Sequence, residues 1–239
     1  MMNAKEIKDF ILNIFFTRRC KFCQQVSDLR EEICTDCSNN LCKIEETVCN
    51  YCGAEKSKCK CNERKKYYTS ICAPYYYDGA PKKAIAQLKF RNKPYMAEFF
   101  AEDLYCCFKK NYGELDFDLC TYVPAYKDDF KKRGYNQAQL LAEELCKRIN
   151  LPCEELLEKS FKTQPQHILN EVMRSGNLLG AIGFNEECKR DISGMRILLC
   201  DDVKTTGATL DECAKTLLIN GAAEVRCITL CTSSTKQYH

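Results

Sequence analysis

The segment RILLCDDVKTTGATL, Arg196 to Leu210, sets two adjacent acids, a lysine, three threonines and a glycine between an apolar run and a new helix pattern. The run RILLC predicts a buried strand that stops at the acids, and ligands of open parallel sheets collect at the carboxyl ends of strands. A loop entering a helix has unpaired backbone N–H groups, and the helix dipole adds positive potential, so such a corner attracts anions. Thr205, Thr206 and Thr209 add hydroxyl donors, and Gly207 lets the backbone approach a phosphate closely. Val203, Lys204 and Ala208 complete the loop around them. Two acids beside a bound phosphate suit the hydroxyls of a ribose, directly or through Mg²⁺. Helix capping by Asp201 or Thr205 would account for one polar residue, not for the whole set. The loop lacks the G-x-x-x-x-G-K-[ST] order of a Walker A motif.

A second kind of chemistry lies earlier in the chain. Cys20/Cys23, Cys34/Cys37 and Cys49/Cys52 are C-x-x-C pairs, and Cys59/Cys61 is a tighter C-x-C pair. Two such pairs supply four thiolates to one tetrahedral Zn²⁺. Eight ligands suffice for two zinc ions, with sequential or interleaved pairing both open, and Cys42 is a spare. A site made only of thiolates has no open position, so its role is structural. A module this small has little core of its own and needs the metal to fold.

These groups need elements to hold them. The 239 residues are 45% hydrophobic and 29% charged, as expected of a globular chain, and the net charge of +3 is too weak alone to argue for nucleic acid. No apolar run is long enough for a membrane span. The first residues, MMNAKEIKDFILNIFF, lack the features of a signal peptide and predict a short amphipathic helix. With twenty cysteines, nine of them between Cys20 and Cys61, this points to a reducing, cytoplasmic setting, the later cysteines being small core residues.

The composition changes near Tyr67, which divides the chain into a Cys-rich module over 1–66 and a second domain over 67–239. From there strands (YTSICAPYYYDG, FDLCTYVP, RILLC, EVRCITLCT) alternate with helices (PKKAIAQLKF, EFFAEDLYCCFKK, NQAQLLAEELCKRI, TLDECAKTLLINGA). That order predicts an α/β fold, a parallel sheet flanked by helices on both faces.

ILLCDDVKTTGAT resembles the phosphoribosyl-pyrophosphate motif of type I phosphoribosyltransferases. YVPAYKDDFKKRGYNQAQLLAEEL, AIAQLKFRNKP and TQPQHILNEVMRSGNLLGAIGF resemble further segments of the ComF family, and the cysteine module in front completes the likeness across almost the whole chain. That family is associated with natural transformation and DNA utilisation in bacteria. The resemblance implies a type I phosphoribosyltransferase-like sheet behind a zinc module, with Asp201 and Asp202 on the ribose hydroxyls or Mg²⁺ and Lys204 to Thr209 on the 5′-phosphate. A leaving pyrophosphate needs concentrated positive charge. For the pyrophosphate the loop AYKDDFKKRGYNQ offers Lys127, Lys131, Lys132, Arg133 and the amides at Gly134, with Arg133, catalytic together with Asp201 and Asp202, the first choice and Lys127 the next. Lys89, Arg91 and Arg174, the last near Gln166 and Asn177, are further candidates; His167 and His239 carry no case for catalysis. The chain departs from the family pattern at Cys59/Cys61, at Lys162 where arginine is expected, and at its TLCTSSTKQ ending.

Three readings follow: a phosphoribosyltransferase acting on an unidentified acceptor, a non-catalytic binder of phosphoribosyl pyrophosphate or a nucleotide that serves DNA uptake alongside other uptake proteins, and a zinc-ribbon protein that binds single-stranded DNA. The complete acid-pair loop favours the first two.

Overall fold

The computed structural model describes residues 19–27, 31–61, 65–90, 93–159 and 182–233. The expected N-terminal helix, Arg91, Lys162, Gln166, His167, Arg174, Asn177 and His239 lie outside these residues.

The core is a parallel sheet. Its strands are β1 (Ser70–Cys72), β2 (Tyr75–Tyr76), β3 (Leu119–Tyr122), β6 (Arg196–Lys204) and β7 (Glu224–Thr232). The order is β1-β7-β6-β3, and β2 pairs further along the same edge of β7. A separate antiparallel pair, β4 (Leu157–Lys159) and β5 (Ile182–Phe184), stands beside it. The helices are α1 (Thr35–Asn39), α2 (Gly79–Phe90), α3 (Met96–Tyr112), α4 (Lys127–Arg133), α5 (Gln137–Ile149) and α6 (Ala208–Ile219).

Successive side chains of a strand point to opposite faces, so a strand whose consecutive residues are all buried is covered on both sides. Ile197, Leu198, Leu199 and Cys200 of β6 are all fully buried. α3 and α5 pack on each other over one face, with α5 against β3 and β6, while α6 lies across β6, β7 and β5. This is the α/β architecture that the alternating pattern predicts. One boundary differs: β6 does not stop at Cys200 but continues through both acids, because β7 is equally long and pairs with it as far as Lys204↔Thr232.

The cysteine-rich stretch shares the core of the sheet. Phe22, fully buried, meets Tyr75 and Phe100 edge to face with ring centroids 5.6 and 5.5 Å away. Lys21 Nζ pairs with Asp103 of α3 at 2.8 Å. Farther along, the Ile71 N–H donates to the Asn50 carbonyl at 3.0 Å, and the Thr232 hydroxyl donates to the Cys52 carbonyl at 2.8 Å. The end of β7 is therefore tied to the loop that carries Cys49 and Cys52.

Candidate ligand cleft and metal centres

The eight paired cysteines form two groups, Cys20/Cys23/Cys34/Cys37 and Cys49/Cys52/Cys59/Cys61, each with its sulfurs within 4.8 Å of one another. The grouping is sequential, not interleaved. Cys23 and Cys34 Sγ are 3.7 Å apart, Cys49 and Cys61 3.7 Å, and Cys52 and Cys59 3.5 Å. Sulfurs around a tetrahedral zinc stand about 3.8 Å apart, given Zn–S bonds near 2.3 Å, so both groups have the donor set and spacing to hold a zinc ion. Cys59 and Cys61 join the second group despite their shorter spacing, with their own sulfurs closer, 3.2 Å apart, and Cys42 stays outside both groups.

The two groups are built on the same turn. The Cys20 N–H donates to Gln25 and the Gln24 N–H returns to Cys20, both at 2.8 Å; the Cys49 N–H donates to Ala54 and the Gly53 N–H returns to Cys49, also at 2.8 Å. The residue after the second cysteine is left-handed in each, Gln24 at φ 63° and Gly53 at φ 72°. Burial acts to raise the Cys20 thiol, but backbone N–H groups of Cys23, Cys34 and Phe22 outweigh it and bring it down to about 7. Burial pushes the Cys23 and Cys37 thiols of the same group up, so a metal ion must displace their protons on binding.

The acid pair opens onto a cleft of about 310 Å³ at the carboxyl ends of β3 and β6. Asp201 and Asp202, consecutive on β6, take opposite faces. Asp202 is buried and its Oδ2 lies 2.8 Å from Lys89 Nζ on α2. Burial disfavours charge on Lys89, yet the carboxylates of Asp202 and Asp201 more than offset this and raise its pKa. The Asp201 carboxyl is pushed up to about 7 by desolvation and then by the Asp202 charge, against a hydrogen bond from the Asp202 N–H and the cations Lys89 and Lys159.

The loop after the acids divides. Val203, Thr205 and Thr209 line the cleft. Thr206 turns aside and its hydroxyl oxygen accepts the Ala208 N–H at 3.3 Å. Gly207, at φ 80°, is the N-cap of α6, so neither Asp201 nor Thr205 caps that helix. The side chain of Lys204 is buried on the far side, with its stem beneath Gly207, and burial lowers its pKa while Cys52, Cys61 and Cys49 oppose the shift. Expected in the phosphate grip, this side chain instead points toward the second cysteine group, because it shares the strand face opposite Val203.

Across the cleft, Arg133 ends α4 and its guanidinium donates to Gln137 Oε1 at 3.2 Å. Gln137 Nε2 is buried there with no hydrogen-bond partner among the described residues, a donor set where a ligand oxygen would satisfy it. The Gly134 amide is not available to a ligand: at φ 77° it closes α4 by donating to the Phe130 carbonyl at 2.7 Å. Asn136 caps α5 through the Ala138 N–H and donates to the Val123 carbonyl, fixing this helix against the end of β3. Lys127 begins α4, its side chain outside the described atoms, and Lys131 and Lys132 are exposed beyond the cleft.

Sequence reasoning missed two contributors, Lys159 and Gln137. Lys159, from the end of β4, lines the cleft with its Nζ 3.6 Å from the Tyr126 ring centroid. Gln137 was visible only as part of a helix start. No local pattern marks Lys159, because the β4–β5 pair that positions it joins residues far apart in the chain.

Residues 132–239 match the family model of the phosphoribosyl transferase domain. The chain is 31% identical over 216 residues, 85% of either chain, to the competence protein ComFC of Bacillus subtilis (strain 168). It belongs to the ComF family. Other relatives are competence protein F of Haemophilus influenzae, 28% identical over 89% of this chain and 96% of its own, and the DNA utilization protein YhgH of Escherichia coli (strain K12), 27% identical over 83% and 89%. Among the described residues of this ComF protein, no helix is long and apolar enough to cross a membrane.

Proposed function

We propose that the cleft binds phosphoribosyl pyrophosphate or a related 5′-phosphorylated nucleotide, in a phosphoribosyltransferase-like role linked to the use of imported DNA. The observation that carries this is the convergence of Asp201, Asp202, Thr205 and Thr209 with Lys89, Arg133 and Lys159 around one cleft. The first turn of α6 offers the 5′-phosphate backbone N–H groups and the positive end of the helix dipole. The acids serve the ribose hydroxyls, and the cations oppose the pyrophosphate.

Two carboxylates in a desolvated cleft, one pushed up to about 7 by burial and its neighbour, suit a divalent cation. Asp201 and Asp202 would hold Mg²⁺, which neutralises the phosphates when bound. The chain's own part is to align the ribose, exclude water and place positive charge where the pyrophosphate departs. A protein of this design needs little acid–base chemistry of its own.

The names of the relatives, a competence protein and a DNA utilization protein, also favour a second reading, in which the same cleft binds a nucleotide without transferring it. Calorimetric titration with phosphoribosyl pyrophosphate and Mg²⁺, on wild type and Asp202→Ala, tests the shared claim; no heat with wild type defeats it. Pyrophosphate release across a panel of bases then separates enzyme from binder.

A further inference from the structure

Most of the later cysteines are buried core residues, as their composition suggests, but three are not scattered. Cys120 of β3, Cys146 of α5 and Cys153 bring their sulfurs within 4.8 Å of one another. The backbone fixes this meeting. Cys120 and Cys153 are partners in a parallel bridge, held by the Cys120 N–H donating to Pro152 at 2.8 Å and the Glu154 N–H donating to Cys120 at 3.0 Å. Partners in register project to the same face of a sheet. The chain from Cys146 to Cys153 is folded back by Asn150, left-handed at φ 52°, and by the Leu151 N–H donating to the Cys146 carbonyl at 3.2 Å.

The cluster is reachable. Cys146 and Cys153 line a surface cleft of about 600 Å³, with Glu143 and Lys147 on its wall. Glu143 precedes Cys146 by three residues, one turn earlier on the same face of α5.

We propose that Cys120, Cys146 and Cys153 form a third metal site, open on one side, that takes a thiophilic divalent ion of the zinc type. Three thiolates are soft donors, suited to zinc or cadmium and not to magnesium or calcium. A divalent ion leaves the buried assembly one charge short of neutral; a monovalent one would leave two, at greater desolvation cost. The fourth coordination position faces the cleft, where water or the Glu143 carboxylate supplies oxygen. This site differs in kind from the two closed four-cysteine groups.

The test uses the full chain, purified without oxygen, saturated with Zn²⁺ and desalted. Metal analysis should find one more zinc per chain in wild type than in Cys153→Ser, and no loss in Cys106→Ser, which removes an exposed thiol of α3. Cadmium NMR of the exchanged wild type should give two signals from all-sulfur sites and a third moved toward the range of mixed sulfur and oxygen ligands. Only two cadmium signals in wild type would overturn the proposal, with no need for a variant to fold. Equal zinc in wild type and Cys153→Ser would overturn it too, as would an intact mass with a disulfide between two of the three cysteines in the anaerobic protein.

Discussion

Lys89 of α2 and Asp202 of β6 form an ion pair at 2.8 Å across the floor of the cleft, joining residues 113 positions apart in the chain. Both side chains are largely withdrawn from water, so their attraction is screened less than that of a surface pair. The pair also fixes where Asp202 points before any ligand enters.

A double-mutant cycle with Lys89→Met and Asp202→Asn, read by urea unfolding, should give a coupling of about 1–2 kcal/mol, within the range for contacting charged residues. Each single change should destabilise more than the double, because each leaves a partly buried charge unpaired. A coupling near zero would mean that the pair does not hold the cleft floor in solution.

Asp201 gives the protein a pH signature. Its carboxyl titrates near 7 when folded, raised by desolvation and then by Asp202, while in the unfolded chain it ionises in the ordinary carboxylate range. Between those values the folded state binds the extra proton, so this group's contribution to stability falls as pH rises from about 4 to about 7 and stays reduced above that. Asp201→Asn should therefore raise stability relative to wild type at pH 8 by more than about 1 kcal/mol, roughly the worth of one pKa unit, and by much less at pH 4. Thermal melts of both proteins across that range check it; a pH-independent difference would exclude the shift.

Much of this site is legible in sequence because its parts are local. The strand, the acid pair and the threonine–glycine corner follow one another from Arg196 to Leu210, and four cysteine pairs announce themselves by spacing. What is not legible depends on pairing between distant segments. β7 runs to Thr232 and so carries β6 past the acids, which sends Lys204 under the loop and away from the cleft. Lys159 reaches the cleft only through β4, and Gly134 looks like a ligand-facing amide until the close of α4 claims its N–H. Cys120, Cys146 and Cys153 have no metal-ligand spacing at all; a strand, a helix and a turn bring them together.

Chelation should be felt beyond the cysteines. The Cys49–Cys52 turn accepts hydrogen bonds from Ile71, Thr232 and, through Tyr51, the Tyr68 hydroxyl. If zinc holds this turn, its removal by a strong chelator should speed amide exchange at Ile71 by at least about tenfold, the equivalent of 1.4 kcal/mol of local opening. Exchange in the centre of α5 should change far less. Uniform loosening, or none, would argue against a metal-ordered turn beneath β1 and β7.

Two glycines separate folding from binding. Gly79, at φ 51°, starts α2, and a Cβ there would stand 2.4 Å from the Asn40 carbonyl oxygen, which also accepts the Ala80 N–H. That oxygen is backbone and cannot swing away, so Gly79→Ala should cost at least about 2 kcal/mol in stability. Gly207, at φ 80°, meets the Tyr68 hydroxyl at 3.1 Å and the Lys204 stem at 3.4 Å, side-chain contacts looser than the backbone one at Gly79. Gly207→Ala should cost about 1–2 kcal/mol for the left-handed backbone, yet weaken phosphoribosyl pyrophosphate binding more than tenfold, because the added methyl and the shifted loop disturb the first turn of α6. Melts and calorimetric titrations on the same samples separate the two effects. Gly207→Ala binding as tightly as wild type would remove this loop from the phosphate site, whatever its effect on stability.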